Sequence, residues 1–346
     1  MEFAITIVPA GKAVTAVHVI DNGVPVYGKS GWRITRTTSA TQMAIKVPLE
    51  KGRNKLQVFV SDEGGMVSAS ENVTVVADYL ASEPVTYFVG IGIDKFTDSR
   101  HNLNYSVKDI RDLAFRLQAR GAIVNIDTLF NENVTVENVA ALKRRLVSAK
   151  TNDKIVVAYS GHGLLSKNFD YFLSTYNVDF QNPEIGGLSY EAFESLLDSI
   201  PVRKKLVLID ACHSGEVDKE EMLQYKTVVQ TKAADGLKGL DIENTDSSKV
   251  GMKNSFELMQ ELFMNVGRNT GATIISAAAG TQLAQERGEL KNGVFTFSIL
   301  EYLNEHPVPS VSRLKEYVMK RVPELTAGLQ QPTTRNESGQ ADWTLW

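Results

Sequence analysis

The 346-residue sequence contains a single cysteine, Cys212. One thiol excludes an internal disulfide and the cysteine-rich class of zinc site, and it fits a reducing compartment, so we expect a cytoplasmic protein. An isolated cysteine is most often a small buried hydrophobic residue. The residues around Cys212 therefore decide whether its thiol has a chemical role.

The sequence also lacks a large excess of either charge and any long apolar run. Its formal net charge is −4, so we expect neither nucleic acid nor an anionic membrane as a partner. No run approaches the roughly 18 apolar residues of a membrane span. The first twenty residues lack a basic segment followed by an uninterrupted apolar stretch, so no signal peptide is expected. The length allows two or three domains with a sizeable core.

Residues 1–80 have the pattern of a small all-β domain. The runs VTAVHVI and GVPVYG flank Asp21-Asn22-Gly23, which is a strong hairpin signal. A second pair of β-branched runs surrounds the turn at Gly64-Gly65. Short strands with polar turns predict an immunoglobulin-like β-sandwich. No catalytic constellation lies in this part, which we interpret as a recognition or regulatory module joined by a linker at 77–84.

After Pro84 the pattern changes to apolar strands that alternate with amphipathic helices. This alternation predicts an α/β domain over 85–346, with a mostly parallel sheet flanked by helices. Between 216 and 255 the sequence is polar, rich in lysine and without periodicity, as in a long functional or disordered loop. The strands are predicted at 86–94, 154–163, 204–215 and 271–280, and the helices at 105–121, 136–150, 188–200, 293–306 and 311–322.

Two predicted strands end in small-residue motifs, YSGHG at 159–163 and DACHSG at 210–215. If these strands are parallel neighbours, His162 and Cys212 emerge side by side at the carboxyl edge of the sheet. An imidazole there can accept the thiol proton and later protonate a leaving amine. The backbone N–H groups of Gly163 and Cys212 are the candidate donors to the oxyanion, since glycine allows close approach of the substrate.

From about residue 85 to the end, the sequence resembles the caspase-like peptidase superfamily, on the metacaspase or bacterial-homologue side. The resemblance is carried, in order, by YFVGIGID, LNYSVKDIRDL, YSGHG, DACHSG, SAAAGTQLAQE and GVFTFSILEYL. Cys212 follows His162 by fifty positions, which agrees with the separation found in caspases. The resemblance implies a cysteine endopeptidase with a large-subunit-like part at 85–215, a linker at 216–255 and a small-subunit-like part at 256–346.

The cysteine motif begins Asp-Ala-Cys, where animal caspases have Gln-Ala-Cys. The resemblance to metacaspases implies that Asp210 lines the S1 pocket together with Asp109, Ser106 and Ser160. A pocket with two carboxylates favours Arg or Lys at P1, and it disfavours Asp through like-charge repulsion. From the residues alone, Asp210 could instead cap the loop after its strand, and Asp109 could lie on a solvated helix face.

Other polar residues near the motifs have weaker interpretations. His213 points away from Cys212 if the strand geometry persists, so we expect it to be structural or to support a catalytic residue, and not to be the base. Ser276 and 277–280 form either a substrate rim or tight packing, and Gln282 and Glu286 are equally open. His18, His101 and His306 carry no functional signal.

The resemblance also bears on how the protein is activated, because the segment between the two parts is often cut in this superfamily. Processing after a basic residue competes with the hypothesis of an uncut mobile loop. The lysines available in 216–255 are Lys219, Lys226, Lys232, Lys238, Lys249 and Lys253.

No cofactor is required for the chemistry, but many metacaspases depend on calcium. Four acids could supply oxygen ligands, although their spacing matches no dedicated calcium loop, so calcium and any metal site stay open. These acids are Asp94, Asp98, Asp170 and Asp179.

The expected partners are protein or peptide substrates, and whether an upstream protein activates the chain stays open. The alternative functions are a catalytically silent peptide-binding scaffold, and a separase-like or legumain-like peptidase with another P1 preference.

Overall fold

A computed structural model of the chain describes residues 1–119, 124–168, 170–211, 270–277, 284–336 and 342–346. Its first part consists of strands in antiparallel pairs, β1 (Glu2–Ile7), β2 (Val14–Asp21), β3 (Val24–Pro25), β4 (Trp32–Thr37), β5 (Thr41–Lys46), β6 (Gly52–Asp62) and β7 (Glu71–Ala77).

These strands form two sheets around one small core. Strands β1 and β5 pair with each other, and the second sheet has the order β3-β2-β6-β7 with β4 also paired to β2. Ile7 and Ile45 from the first sheet pack with Val17 and Leu56 from the second. The predicted hairpin is confirmed, because β2 and β3 are joined by the two residues after Asp21, both with positive φ. The all-β region is therefore present, while its closer likeness to an immunoglobulin domain stays a prediction.

The second part alternates strands and helices as the sequence predicts. Its strands are β8 (Thr86–Gly92), β9 (Val124–Phe130), β10 (Lys154–Ser160), β11 (Gly163–Leu165), β12 (Tyr171–Leu173), β13 (Leu188–Ser189), β14 (Lys204–Asp210), β15 (Thr273–Ser276), β16 (Glu286–Arg287), β17 (Asn292–Gly293) and β18 (Thr333–Asn336). Its helices are α1 (Ser106–Gln118), α2 (Val136–Leu146), α3 (Tyr190–Glu194), α4 (Val294–Glu305) and α5 (Val311–Thr326).

The central sheet of this part has the order β18-β15-β14-β10-β8-β9, and every pair is parallel except β15 with β18. Strands β10 and β14 are buried almost throughout, as expected for apolar strands covered on both faces. One face of the sheet packs against α2 and α3. The other face packs against α1, α4 and α5. The predicted α/β class, a mostly parallel sheet flanked by helices, is confirmed.

Two predicted helices are shorter than the sequence pattern indicates. The segment 188–200 contains α3 over only five residues, although Ser189 caps it as expected by accepting from the Ala192 N–H at 3.2 Å. Turns follow α3, and Ser199 adopts a φ of 61°, which the right-handed helix excludes. Helix α2 ends at Leu146, four residues before the predicted boundary. No helix in the described ranges has both the length and the apolar character that crossing a bilayer requires.

The antiparallel sheets contact the second part at the amino-terminal ends of the parallel strands. Arg203, just before β14, is fully buried, and its Nε donates to the buried Asp21 at 3.1 Å. The same guanidinium donates to the carbonyl oxygens of Pro48 and Pro201 at 3.0 and 2.7 Å. Burial raises the pKa of Asp21, and the neighbouring Arg203 opposes that shift. The carboxyl ends of the parallel strands, where chemistry collects in such sheets, therefore lie away from this junction.

Candidate active site

The strands that carry the two sequence motifs are parallel neighbours, which is the condition on which the side-by-side placement of His162 and Cys212 depends. Strands β10 and β14 pair in a register that sets Ser160 opposite Asp210. His162 and Cys212 each follow two residues after that pair in sequence. Cys212 lies outside the described residues, so its contact with His162 stays a prediction. The register supplies the side-by-side strand ends on which that prediction depends.

The imidazole of His162 is buried and has a defined orientation. Its Nε2 lies 2.8 Å from the backbone carbonyl oxygen of His101, and the side chain is nearly inaccessible to solvent. A carbonyl oxygen can only accept, so Nε2 carries the hydrogen in this contact. The neutral ring then has Nδ1 as its proton-accepting nitrogen. Nδ1 is therefore the atom of His162 that can serve as a base.

Aromatic side chains surround His162. The Phe96 and Phe180 rings have centroids 5.2 and 5.4 Å from the imidazole centroid. Phe180 also stacks on the His101 ring, with centroids 3.6 Å apart and planes 8° from parallel. The His101 side chain is thus packed against the same ring that contacts His162.

A short helical turn at Ser99–His101 carries the carbonyl group that binds His162. Asp98 caps the turn by accepting from the Arg100 N–H at 3.2 Å, and its carboxylate also contacts the Arg100 and His101 side chains. The hydrogen bond from the Arg100 side chain is the main reason that the pKa of Asp98 falls to about 2. Asp98 therefore remains a carboxylate, and a cap for this turn, at any pH near neutrality.

Asp109 lies at the carboxyl edge of the sheet and is fully buried. Ser160 Oγ donates to its Oδ2 at 3.0 Å, which joins two of the predicted S1 residues. Its Oδ1 accepts from Asn292 Nδ2 at 2.9 Å and from the Gly293 N–H at 3.1 Å. The alternative of a solvated helix face for Asp109 is wrong, because α1 turns this residue towards β17 and the sheet.

Asp210, the last residue of β14, is also buried. Its Oδ2 accepts from Thr296 Oγ1 at 2.7 Å and from the Thr296 N–H at 3.3 Å, in the first turn of α4. The carboxylate therefore stabilises the start of α4 in addition to any role in a pocket. Ser106, the fourth predicted S1 residue, is buried at the start of α1, three positions before Asp109 and so on the same helix face.

Gly293 lies between the two carboxylates. A Cβ atom added there would be 2.4 Å from Asp210 Oδ2 and 3.1 Å from Asp109 Oδ2. Both carboxylates therefore border the small volume that glycine leaves open. Lys108 lies nearby but donates to Asp112 and, at 3.2 Å, to Asn292 Oδ1. Asn292 thus separates this ion pair from the Asp109 carboxylate.

The two halves of the site lie on opposite faces of the sheet edge. Asp109 lies on α1 and Asp210 contacts α4, and the apolar side chains of both helices belong to one core layer. His162 contacts Phe96, which belongs to the other core layer. A peptide crossing this edge could place a basic side chain against the carboxylates and its scissile bond beside His162.

Other predicted residues are only partly placed by the structure. Gly163 begins β11 and pairs with Leu173, and Ser276 is buried at the end of β15. Glu286 is buried and accepts from the backbone N–H groups of Asn104 and Tyr105 at 2.9 and 3.0 Å, which fixes the segment before α1. The predictions that lie outside the described residues concern Cys212, His213, 278–280, Gln282, Lys219, Lys226, Lys232, Lys238, Lys249 and Lys253.

The four acids considered for calcium do not come together. Asp98 contacts Arg100, and Asp179 accepts from the Gln181 and Asn182 N–H groups in a local turn. Within the described ranges, no three His, Cys, Asp or Glu side chains are grouped as a metal site would require.

Sequence reasoning missed several residues that hold the site. His101 acts through its backbone carbonyl oxygen, which every residue type possesses, so no residue pattern marks it. Asn292 immediately precedes the quoted motif GVFTFSILEYL and Thr296 lies within it, and polar residues at the start of a buried helix could have indicated a partner. Phe180 contacts His101 and His162, from which it is distant in sequence, and no periodic pattern of residues predicts these contacts.

Comparison with known proteins agrees with the fold of the second part. The peptidase C14 family model, described as the caspase domain, matches residues 89–342. The crystal structure of the protein GSU0716 from Geobacter sulfurreducens superposes with a TM-score of 0.52 at 20% identity, over 73% of this chain and 93% of that chain. At that identity the likeness concerns the fold alone. No curated protein matches the sequence. Because the family model spans most of the chain and includes both motifs, the chain belongs to the caspase-domain peptidase family.

Proposed function

We propose that the protein is a cysteine endopeptidase that cleaves after Arg or Lys, with Cys212 as nucleophile and His162 as base. The observation that carries the P1 preference is the pair of buried carboxylates, Asp109 and Asp210, on either side of Gly293. A buried carboxylate pair favours a cation and repels an acidic side chain. Family membership supports the peptidase chemistry.

The reaction uses the tautomer of His162 that its contact with His101 favours. Nδ1 accepts the Cys212 thiol proton, and the thiolate attacks the carbonyl carbon after the basic residue. The N–H groups of Gly163 and Cys212 stabilise the oxyanion. As the tetrahedral intermediate collapses, Nδ1–H gives its proton to the leaving amine and a thioester remains. A water molecule, deprotonated by Nδ1, then hydrolyses the thioester and restores the thiol.

The assay compares fluorogenic peptides that differ only at P1, with Arg, Lys, Asp or Asn, with and without calcium. We expect hydrolysis of the Arg and Lys peptides, and loss of it in Cys212→Ala and His162→Ala. Hydrolysis of the Asp peptide alone would refute the role of the carboxylates. Activity that persists in Cys212→Ala would refute the mechanism.

Charge-neutral variants test the pocket directly. Asp109→Asn and Asp210→Asn each remove one charge-assisted contact to the P1 cation, worth about 1.5–3 kcal/mol, so kcat/KM should fall about ten- to hundredfold. Asp127→Asn is the matched control, since Asp127 pairs with Arg145 at the far edge strand β9. An equal loss in all three variants would indicate a general effect of charge rather than a pocket.

We also propose self-processing within 216–255 and action in the cytosol. The lysines of that segment support the first proposal and the single cysteine supports the second. Incubation of the wild-type chain beside Cys212→Ala, followed by mass spectrometry of the fragments, tests self-processing. New ends after lysine in the wild-type chain alone would support it, whereas an intact chain that cleaves peptides would exclude it as a requirement.

A further inference from the structure

The tyrosine of the YSGHG motif has its hydroxyl group next to the catalytic histidine. Tyr159 is buried in β10, and its Oη lies 3.0 Å from the carbonyl oxygen of His162. The same Oη lies 2.8 Å from Ser174 Oγ, just after β12. Ser174 Oγ in turn accepts from the His162 N–H at 3.1 Å.

These contacts form a closed ring of hydrogen bonds that begins and ends on the His162 backbone. The His162 N–H donates to Ser174 Oγ, and the Ser174 and Tyr159 hydroxyl groups share one hydrogen bond. The Tyr159 hydroxyl has two carbonyl acceptors at 3.0 Å, those of Ser174 and His162, and the ring closes when it donates to the His162 carbonyl oxygen. The Ser174 N–H adds a further donor to that oxygen, at 2.9 Å. Hydrogen bonds in such a chain polarise and strengthen one another in a buried site.

The first glycine of the motif makes room for this hydroxyl group. A Cβ added at Gly161 would lie 2.5 Å from Tyr159 Oη and 2.9 Å from its Cζ. Ser160, between them, points to the opposite face and donates to Asp109. Residues of the motif therefore have different roles. Tyr159 and Gly161 hold the turn, and Ser160 binds the Asp109 carboxylate.

We propose that Tyr159 is a positioning residue for His162, an inference that rests on the proposed function. The His162 ring makes its Nε2 contact with His101 only if the backbone of the turn stays in place. A misplacement of about 1 Å can cost a hundredfold in rate, because proton transfer requires hydrogen-bond distance. The hydroxyl group of Tyr159 holds that backbone through the His162 carbonyl oxygen. Because Tyr159 is buried, it does so without touching substrate.

Tyr159→Phe tests the proposal, since it keeps the buried ring and removes only the hydroxyl group. We expect kcat to fall about ten- to hundredfold with KM nearly unchanged. The matched control is Tyr302→Phe, which removes a tyrosine hydroxyl that donates to the Ser310 carbonyl oxygen on the other face of the sheet. An equal fall in kcat in both variants, or none in Tyr159→Phe, would overturn the proposal.

A second measurement does not depend on activity. Nitrogen-15 NMR of labelled histidine, with His162 assigned by its absence in His162→Asn, reports which ring nitrogen carries the hydrogen. We expect the Nε2–H form in the wild-type chain and a mixture of tautomers in Tyr159→Phe. An unchanged tautomer together with unchanged kcat would refute the role of the hydroxyl group.

Ser174→Ala provides the same test by removing the next link of the ring. Because Tyr159 and Ser174 act through one network, we expect the double variant to lose no more kcat than the worse single variant. Additive losses would show that the two residues act separately and would refute the ring. If the wild-type chain cleaves no peptide, the proposed function fails, while the tautomer measurement still decides the positioning role.

Discussion

Replacing Gly293 by alanine should close the space between the Asp109 and Asp210 carboxylates. Gly293 has φ −59° and ψ 139°, which alanine adopts without strain, so any effect is steric. The new Cβ would lie 2.4 Å from Asp210 Oδ2, about 1 Å closer than ordinary van der Waals contact. Asp210 must therefore move away, or α4 must shift.

The size of the effect on stability and activity follows from the hydrogen bonds that Asp210 accepts from Thr296. A shift of about 1 Å breaks the contacts of its Oδ2 with Thr296, at 2.7 and 3.3 Å. Losing a hydrogen bond to a charged group costs about 1.5–3 kcal/mol. Because two such bonds are lost, we expect the free energy of unfolding to fall by about 3–6 kcal/mol. Displacing Asp210 also weakens its contact with the P1 cation, so kcat/KM for the Arg peptide should fall about ten- to hundredfold.

Peptide hydrolysis and urea unfolding measure the two effects, and alkylation of Cys212 shows whether the thiol is still activated. Gly64→Ala is the control, because a Cβ there meets the flexible end of Lys12 most closely. Gly293→Ala that folds normally, alkylates normally and still prefers the Arg peptide with unchanged kcat/KM would contradict the location of the pocket.

Three further predictions concern the surroundings of the site and the junction with the antiparallel sheets. Phe180→Leu should lower kcat and Phe180→Tyr should restore it, since aromatic stacking on His101 is worth about 0.5–1.5 kcal/mol; equal kcat in both variants would contradict this. Arg203→Met leaves the Asp21 carboxylate buried without its cation, so urea unfolding should show a loss of about 3–5 kcal/mol, and a near-neutral result would refute the buried pair. Burial and the nearby Lys204 lower the pKa of Lys154 to about 8 from 10.5, so the unfolded chain binds more protons between these values. Stability of the wild-type chain should therefore rise with pH across that window, and Lys154→Met should abolish the rise.

The sequence predicts the main parts of this site because strands and their ends leave clear patterns. Buried parallel strands are continuous apolar runs, and both motifs interrupt such runs with small residues. These patterns locate the strand ends, whereas the neighbour relation of β10 and β14 and the register of Ser160 opposite Asp210 come from the structure. Helical periodicity was less informative about Asp109, because a buried carboxylate with polar partners breaks the apolar pattern of α1.

What the sequence could not predict depends on backbone atoms and distant contacts. The His101 carbonyl oxygen orients His162, yet the choice of residue 101 says nothing about where its carbonyl points. The Tyr159 hydroxyl reaches Ser174 only because β11 and β12 pair antiparallel and return the chain to the end of β10. Such contacts follow from the path of the chain, which residue patterns specify only weakly.

The buried guanidinium of Arg203 couples the stability of the second part of the chain to the presence of the first. Its N–H groups donate to Asp21 and Pro48 in the first part and to Pro201 in the second. An arginine side chain keeps its positive charge even when it is buried, because it is not deprotonated in proteins. Deleting the antiparallel sheets would leave a fixed positive charge at the base of the central sheet with two of these acceptors gone. The second part should therefore unfold at a lower urea concentration as an isolated fragment than within the whole chain.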